Sequence, residues 1–407
     1  MRRLAAAVLP LLLAANPAAA LDGGRYGEVR LSVPAGGMQG FVIYFSDRGG
    51  WTDADQAAID DLARDGALAV GVDTDRYLAR LQPGTATCDQ LVGDAEGLSR
   101  QLQRQHSGAA YEFPILAGIG AGGALADAVM AQAPVNTLAG VVAVDPDAAI
   151  HGPRPLCPPA ADHLFGFSFT GHARSRRAAA TELARLMAPL LVPPKAEGMA
   201  SLPLLELPSE QPSPLLAIVL SGDGGWRDLD KTIAEALRHD GVSVVGWDSL
   251  RYFWSKKTPE RTASDLAAVI GFYSRAWHAD RVALVGYSFG ADVLPFAYDL
   301  LPREDRDRVV LMALLGVEDK ADWEISVSGW LGAPPTADAI PIAPAIAAMP
   351  AALIQCFYGE DEHDSFCPSL AGSGAEIVRT TGGHHFDGDY AALERRILAR
   401  LRPPAGP

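Results

Sequence analysis

Cysteine is scarce in this chain, with four in 407 residues and none at the C-x-x-C spacing of a zinc site. Neither a metal nor a cofactor is expected. Basic residues are in deficit, 34 against 49 acidic, giving a formal net charge of −15. A surface of that sign repels nucleic acid and favours cationic or neutral partners. Beyond the first twenty residues no charge-free apolar run is long enough to span a bilayer, so the mature chain is expected to be soluble.

What is present begins with a leader. Arg2 and Arg3 precede an apolar run from Leu4 to Ala15, and Ala18-Ala19-Ala20 suits cleavage before Leu21. Export is therefore expected, with residues 1–20 removed as a signal peptide. The cysteines fall two per half, Cys88 with Cys157 and Cys356 with Cys367, and an oxidising compartment would join each pair as a disulfide. The length exceeds what one core usually organises, and 49% hydrophobic residues suffice for two.

The two halves repeat each other. FSDRGGW (45 to 51) and SGDGGW (221 to 226) each end an apolar run in Gly-Gly-Trp. The offset of 175 also carries Asp65-Gly66 onto Asp240-Gly241, Gly71 onto Gly246, Asp73 onto Asp248 and Arg76-Tyr77 onto Arg251-Tyr252. Further on, GIGAG (118 to 122) stands where the second half has GYSFG (286 to 290). Strands alternating with helices specify a parallel sheet. The expectation is two tandem α/β domains with mostly parallel sheets, over residues 21–197 and 198–407, divided at a proline-punctuated stretch. Residues 202–207 are expected to contribute the first strand of the second domain.

The second half carries the chemistry. An apolar strand from Arg281 runs into Gly286-Tyr-Ser288-Phe-Gly290 and then a helix, the context in which G-x-S-x-G marks a nucleophile of the α/β-hydrolase type. The first half keeps the turn but has Gly120 in place of Ser288, so it reads as degenerate and the second as catalytic. In this fold the order is serine, acid, histidine. The strand over 351–358 leads into Gly359-Glu-Asp-Glu-His-Asp, where Glu362 is the first candidate acid, with Asp361 and Asp364 behind it. Gly382-Gly383-His384-His385 precedes the last helix; His384 is favoured as base over His385, partly because Gly171-His172 stands at a comparable place in the first half. Two N–H groups should hold the oxyanion, one from Phe289 and one from Asp223 or Gly224.

SGDGGWRDLDK (221 to 231), GWDSLRYFWSKKTPE (246 to 260), GYSFGADVLPF (286 to 296), SGWLG (328 to 332), CFYGEDEHDSFC (356 to 367) and GGHHFDGDY (382 to 390) resemble the VirJ/AcvB family of bacterial periplasmic virulence-associated proteins. The layout in two copies is similar to the longer, AcvB-like members. The resemblance implies a periplasmic α/β-hydrolase acting on lysyl-phosphatidylglycerol, an aminoacyl phospholipid of the inner membrane, with an association to type IV secretion components. The aromatic and basic stretch holding Asp248, Arg251, Tyr252 and Trp254 is a candidate substrate-binding loop, and residues 316–350, with Trp323 and Trp330, are long enough for a cap. The rival expectations are a non-catalytic binding or secretion-accessory protein and a generic esterase or thioesterase.

Overall fold

The computed structural model describes residues 21–81, 86–106, 110–134, 136–159, 167–191, 198–326 and 336–402, so the expected leader and Trp330 lie outside the described residues. Two seven-stranded, mostly parallel sheets form tandem α/β domains. The first contains β1 (Leu21–Asp22), β2 (Glu28–Ser32), β3 (Gly40–Phe45), α1 (Asp53–Arg64), β4 (Ala67–Val72), α2 (Thr74–Arg80), α3 (Val92–His106), β5 (Ile115–Ile119), α4 (Ala121–Gln132), β6 (Gly140–Val144), β7 (Phe167–Gly171) and α5 (Arg176–Met187). The second opens with β8 (Leu204–Leu207), β9 (Leu215–Leu220), α6 (Asp228–His239), β10 (Ser243–Trp247), α7 (Ser249–Tyr252), α8 (Pro259–Ala276), β11 (Arg281–Tyr287) and α9 (Phe289–Asp299). It continues through α10 (Arg303–Arg308), β12 (Val309–Leu315), a small pair β13 (Lys320–Ala321) and β14 (Ile340–Pro341), α11 (Ala343–Ala348), β15 (Ile354–Gly359), β16 (Glu376–Thr380) and α12 (Tyr390–Leu401).

The sheet orders are β1-β2-β4-β3-β5-β6-β7 and β8-β10-β9-β11-β12-β15-β16. Side by side, β2, β4, β3, β5, β6 and β7 take the places of β8, β10, β9, β11, β12 and β15. In both domains the strand one before that leading into Gly-Gly-Trp, β2 or β8, is antiparallel to its neighbour, β4 or β10. Only the second sheet goes on to a further parallel strand, β16. Gly171-His172 therefore follows the counterpart of β15, which is where the second domain keeps Glu362 and not the His384-His385 pair. This corrects the place expected for His172: among the described residues the first copy shows no strand that would have separated the two loops.

Central strands read as continuous apolar runs because helices cover both faces. In β9, Leu216, Ile218 and Leu220 face one cluster while Leu215, Ala217 and Val219 face the other, the period of two that a pleated strand imposes. The same division holds in β3, with Phe41, Ile43 and Phe45 opposite Val42 and Tyr44. Disulfides join Cys88 to Cys157 and Cys356 to Cys367.

The repeated residues outside the site have a packing reason. A Cβ on Gly71 would lie 2.0 Å from the Trp51 ring, and one on Gly246 would lie 2.5 Å from the Trp226 ring. Each Gly-Gly-Trp unit thus lays an indole across the neighbouring strand, and only glycine there leaves room for it. Asp73 and Asp248 cap α2 and α7 by accepting from the N–H of Arg76 and Arg251, the orphan donors of a first helical turn. Thr74 and Ser249 then tie these helices back to Ser46 and Ser221 through matching pairs of hydrogen bonds.

We expect Gly246→Ala to lower the unfolding free energy by about 1–3 kcal/mol, the usual scale for overpacking. Gly93→Ala, on α3 with nothing within 4 Å of the added Cβ, should not lower it. Urea denaturation of the two variants checks the difference.

Candidate active site

Ser288 ends β11 and begins α9 with φ +51° and ψ −123°. A non-glycine residue there carries strain of about 1–3 kcal/mol. The conformation is held from several sides. The Ser288 N–H donates to the Leu315 carbonyl at 2.8 Å, and the N–H of Ala291 returns to the Ser288 carbonyl at 2.7 Å. At Gly290 a Cβ would meet the Leu220 carbonyl oxygen at 2.4 Å, so α9 starts closer to β9 than any side chain allows. The hydroxyl-bearing residue is left half-buried, at the head of the helix.

The loop after β15 and the loop after β16 meet over Gly316, next to the Leu315 to which the Ser288 N–H is bonded. His384 Nδ1 donates to Glu362 Oε1 at 2.6 Å, and Glu362 Oε2 accepts from the Gly359 N–H at 3.1 Å. The Glu362 side chain is 3% exposed and that of His384 34%, so the acid is sequestered while the imidazole reaches solvent. Space for the pair comes from Gly316, φ +63°, directly after β12: a Cβ on it would stand 2.8 Å from His384 Cε1 and 3.2 Å from Glu362 Oε1. Ser288 and His384 thus both border Leu315-Gly316. The exposed Asp361 makes only its backbone bond, to the Gly382 carbonyl at 2.9 Å, among the bonds described. His385 turns away, its Nδ1 2.9 Å from the Tyr287 hydroxyl. Of the two histidines and three carboxylates singled out in the sequence, the structure pairs His384 with Glu362.

Acidic groups crowd this imidazole. Burial alone would lower the His384 pKa, but the hydrogen bond and charge of Glu362, helped by Glu318 and Asp364, outweigh it and raise the pKa above the ordinary value. Glu318 is itself pushed up, first by burial and then by Asp364. Its backbone is fixed by Asp292, which accepts from the Glu318 N–H at 2.8 Å and whose carboxyl burial drives well above the usual range.

The first domain repeats the turn with the chemistry removed. Gly120 has φ +57° and ψ −119°, nearly the angles of Ser288. Asp47 fills the space above it: its Oδ1 accepts from the N–H of Ala121 at 3.1 Å and lies where a Gly120 Cβ would sit, at 2.3 Å. Ala121 follows Gly120 as Phe289 follows Ser288, so in the first copy a carboxylate rests on the counterpart of an expected oxyanion donor. By the offset of 175 the counterpart of Asp47 is Gly222, which leaves that space open; its added Cβ would be 3.5 Å from Ser288 Cβ. The sequence reading passed over Gly222 and Gly316, whose role is to be absent space. After β6, where the second domain has Gly316, the first has Asp145, with His172 Nδ1 3.4 Å from its carboxylate.

The candidate substrate-binding loop is closed to a ligand at three of its four residues, while Arg251 is exposed. Asp248, Tyr252 and Trp254 are 2%, 5% and 0% exposed. Asp248 is the α7 cap, Tyr252 donates to Asp265 at 2.7 Å, and Trp254 packs on Tyr111 of the first domain with ring centroids 5.0 Å apart. Arg251 lies over the Phe113 ring at 5.4 Å. Trp254 and Arg251 thus serve the domain interface, Tyr252 the packing of its own domain, and Phe253 packs 4.9 Å from the Phe289 ring, next to Ser288. Trp323 is likewise core, packed against Phe253 and Phe296, rather than cap.

Residues 214–404 match the family model described as bacterial virulence protein (VirJ). No curated protein matches the chain. Similar solved structures include Est1E from Butyrivibrio proteoclasticus, 14% identical over 49% of this chain and 93% of that one, with a TM-score of 0.35. Another is XC6422 from Xanthomonas campestris, described as an α/β serine hydrolase without lid, 21% identical over 50% and 89% of the two chains, with a TM-score of 0.34. An α/β serine hydrolase homologue from Coxiella burnetii is 19% identical over 49% and 90%, again at 0.34.

Removing one negative neighbour should weaken the hold on the imidazolium. Glu318→Gln is therefore expected to lower the His384 pKa, whereas the same change at Glu360, which pairs with Arg379 at 3.0 Å, should leave it unmoved. Imidazole NMR titrations of the three proteins decide the point; an unchanged His384 curve in Glu318→Gln would show that Glu318 does not act on it.

Proposed function

We propose, from the match of residues 214–404 to the family model described as bacterial virulence protein (VirJ), that the chain is an exported serine esterase cleaving the aminoacyl ester of lysyl-phosphatidylglycerol. The observation that supports it most directly is the strained Ser288 beside a histidine bound to a buried carboxylate at 2.6 Å. A serine hydroxyl needs a base to become nucleophilic. In this mechanism His384 Nε2 takes the Ser288 proton as Oγ attacks the ester carbonyl, and Glu362 holds the ring by Nδ1 and stabilises the imidazolium. The N–H groups of Phe289 and Asp223 receive the oxyanion. Collapse breaks the bond to the glycerol oxygen, which leaves with the proton from His384. Water, deprotonated by the same histidine, then releases lysine and restores Ser288.

The preference for a cationic acyl group is supported by Glu318 and Asp364, the carboxylates whose charge already reaches His384. An ammonium received there would gain roughly 1–3 kcal/mol over an uncharged side chain, about five- to a hundredfold. Export to the periplasm agrees with the leader expected from the sequence and with two disulfides among the described residues.

Ser288→Ala should abolish turnover and fluorophosphonate labelling with an unchanged circular dichroism spectrum; retained turnover would defeat the assignment. Because the base must be neutral, activity should fall on acidification through a pKa above the ordinary histidine value of about 6.5. Initial rates on lysyl- and alanyl-phosphatidylglycerol in matched micelles test the substrate: equal rates would refute recognition of the cation, and faster turnover of a simple short-chain ester would indicate a generic esterase.

A further inference from the structure

The first domain reaches the loop after β9 through one helix. On α3, Arg100 donates from Nη2 to the Gly224 carbonyl at 3.2 Å, and Arg227 of the second domain donates from Nε to the same oxygen at 3.1 Å. Glu96, one turn before Arg100, pairs with both guanidiniums, at 3.3 Å to Arg100 and closer still to Arg227. The side chains of Arg100 and Glu96 are 12% and 15% exposed, so water screens this triad poorly. Further along α3, Arg104 donates to the Trp254 carbonyl at 2.6 Å and to Glu324 at 2.9 Å, its guanidinium 4.0 Å above the Trp254 ring. The helix is therefore pinned at both ends of the contact.

Gly224 is a corner of a turn in which the Gly225 N–H closes on the Gly222 carbonyl at 3.1 Å. The peptide groups stand in series. Both guanidiniums load the Gly224 carbonyl; the N–H of that same peptide belongs to Gly225 and loads the Gly222 carbonyl; the N–H of that next peptide belongs to Asp223. A hydrogen bond accepted at a peptide oxygen polarises the N–H of the same unit, so such chains strengthen cooperatively. We infer that α3 of the first domain braces and polarises the oxyanion loop of the second, with Arg100 as a positioning residue and Glu96 keeping Arg100 and Arg227 on the Gly224 carbonyl. The inference rests on Ser288 as nucleophile and Asp223 N–H as an oxyanion donor. It gives the first copy, whose own turn is occupied by Asp47, a part in the reaction.

The test uses the full chain with Arg100→Ala, Arg100→Lys, Glu96→Gln and a control, Arg25→Ala, which removes the tie of Arg25 to Asp94 on α3 without touching Gly224. A short-chain ester and a trifluoromethyl ketone, which forms a tetrahedral adduct on the serine, serve as probes. Arg100→Ala should lower kcat about tenfold, a fraction of the loss from deleting an oxyanion donor outright. KM should stay within about twofold, and ketone affinity should fall in parallel with kcat. Arg100→Lys, still able to donate to the carbonyl, should recover part of both, and Arg25→Ala should change neither. Wild-type kcat and ketone affinity in Arg100→Ala, or an equal loss in Arg25→Ala, would overturn the brace. If Arg100→Ala does not fold, Arg100→Lys and Glu96→Gln carry the same comparison. A wild-type protein that fluorophosphonate leaves unlabelled at Ser288 removes the esterase reading and the brace together; labelling of wild type and variants at one rate removes the brace alone.

Discussion

A single backbone conformation, φ +51° at the residue joining β11 to α9, governs the geometry of the second domain's site. It cannot relax, because the helix start is pressed against the Leu220 carbonyl and the Ser288 N–H is committed to Leu315. Leu315 is followed by Gly316, the residue whose missing side chain makes room for His384 and Glu362. One strand end thus holds the backbone of Ser288 and vacates the space for His384. The position of the histidine follows from the packing of β12 between β11 and β15.

The first domain shows which parts of this arrangement belong to the fold and which to the chemistry. It retains the strained turn at Gly120, the indole laid across a neighbouring strand, and the aspartate cap at Asp73. None of these needs a substrate. What differs is local: glycine for the serine, Asp47 where the second domain has Gly222, Asp145 where it has Gly316, and, among the described residues, no sixth parallel strand to carry a separate histidine loop. The N–H of Ala121, counterpart of Phe289, is bonded to the protein's own carboxylate, Asp47.

Much of this was legible in the sequence because it depends on local pattern. Apolar runs of five to seven residues, glycine at tight turns and the matched offset of 175 sufficed for the order of strands and helices, and G-x-S-x-G in its strand-to-helix setting singled out Ser288. The choice among Glu362, Asp361 and Asp364 was not legible, since three carboxylates on one loop differ only in which the tertiary structure buries. Gly222 and Gly316 were passed over because their contribution is empty space, which a sequence does not display. The loop from Asp248 to Trp254 misled for the opposite reason. Aromatics beside cations suggest a ligand, but Tyr111 and Phe113, over a hundred residues earlier, supply the surface they pack on.

The carboxylates around His384 act in two opposed ways. They make the imidazole a stronger base, which in the proposed reaction would favour removal of the Ser288 proton, and they hold it protonated to higher pH, which would reduce the fraction ready to act. In the proposed reaction the substrate itself eases that conflict. An ammonium bound at Glu318 and Asp364 would cancel charge that otherwise stabilises the imidazolium, lowering the His384 pKa when the substrate arrives and leaving the Glu362 bond as the main support for the positive charge that forms in the transition state. A neutral acyl group would leave those charges in place, with a larger share of the enzyme protonated at the same pH. Discrimination by charge would then appear in kcat on the acid side as well as in binding, because the groups that receive the cation are the ones that set the protonation of the base.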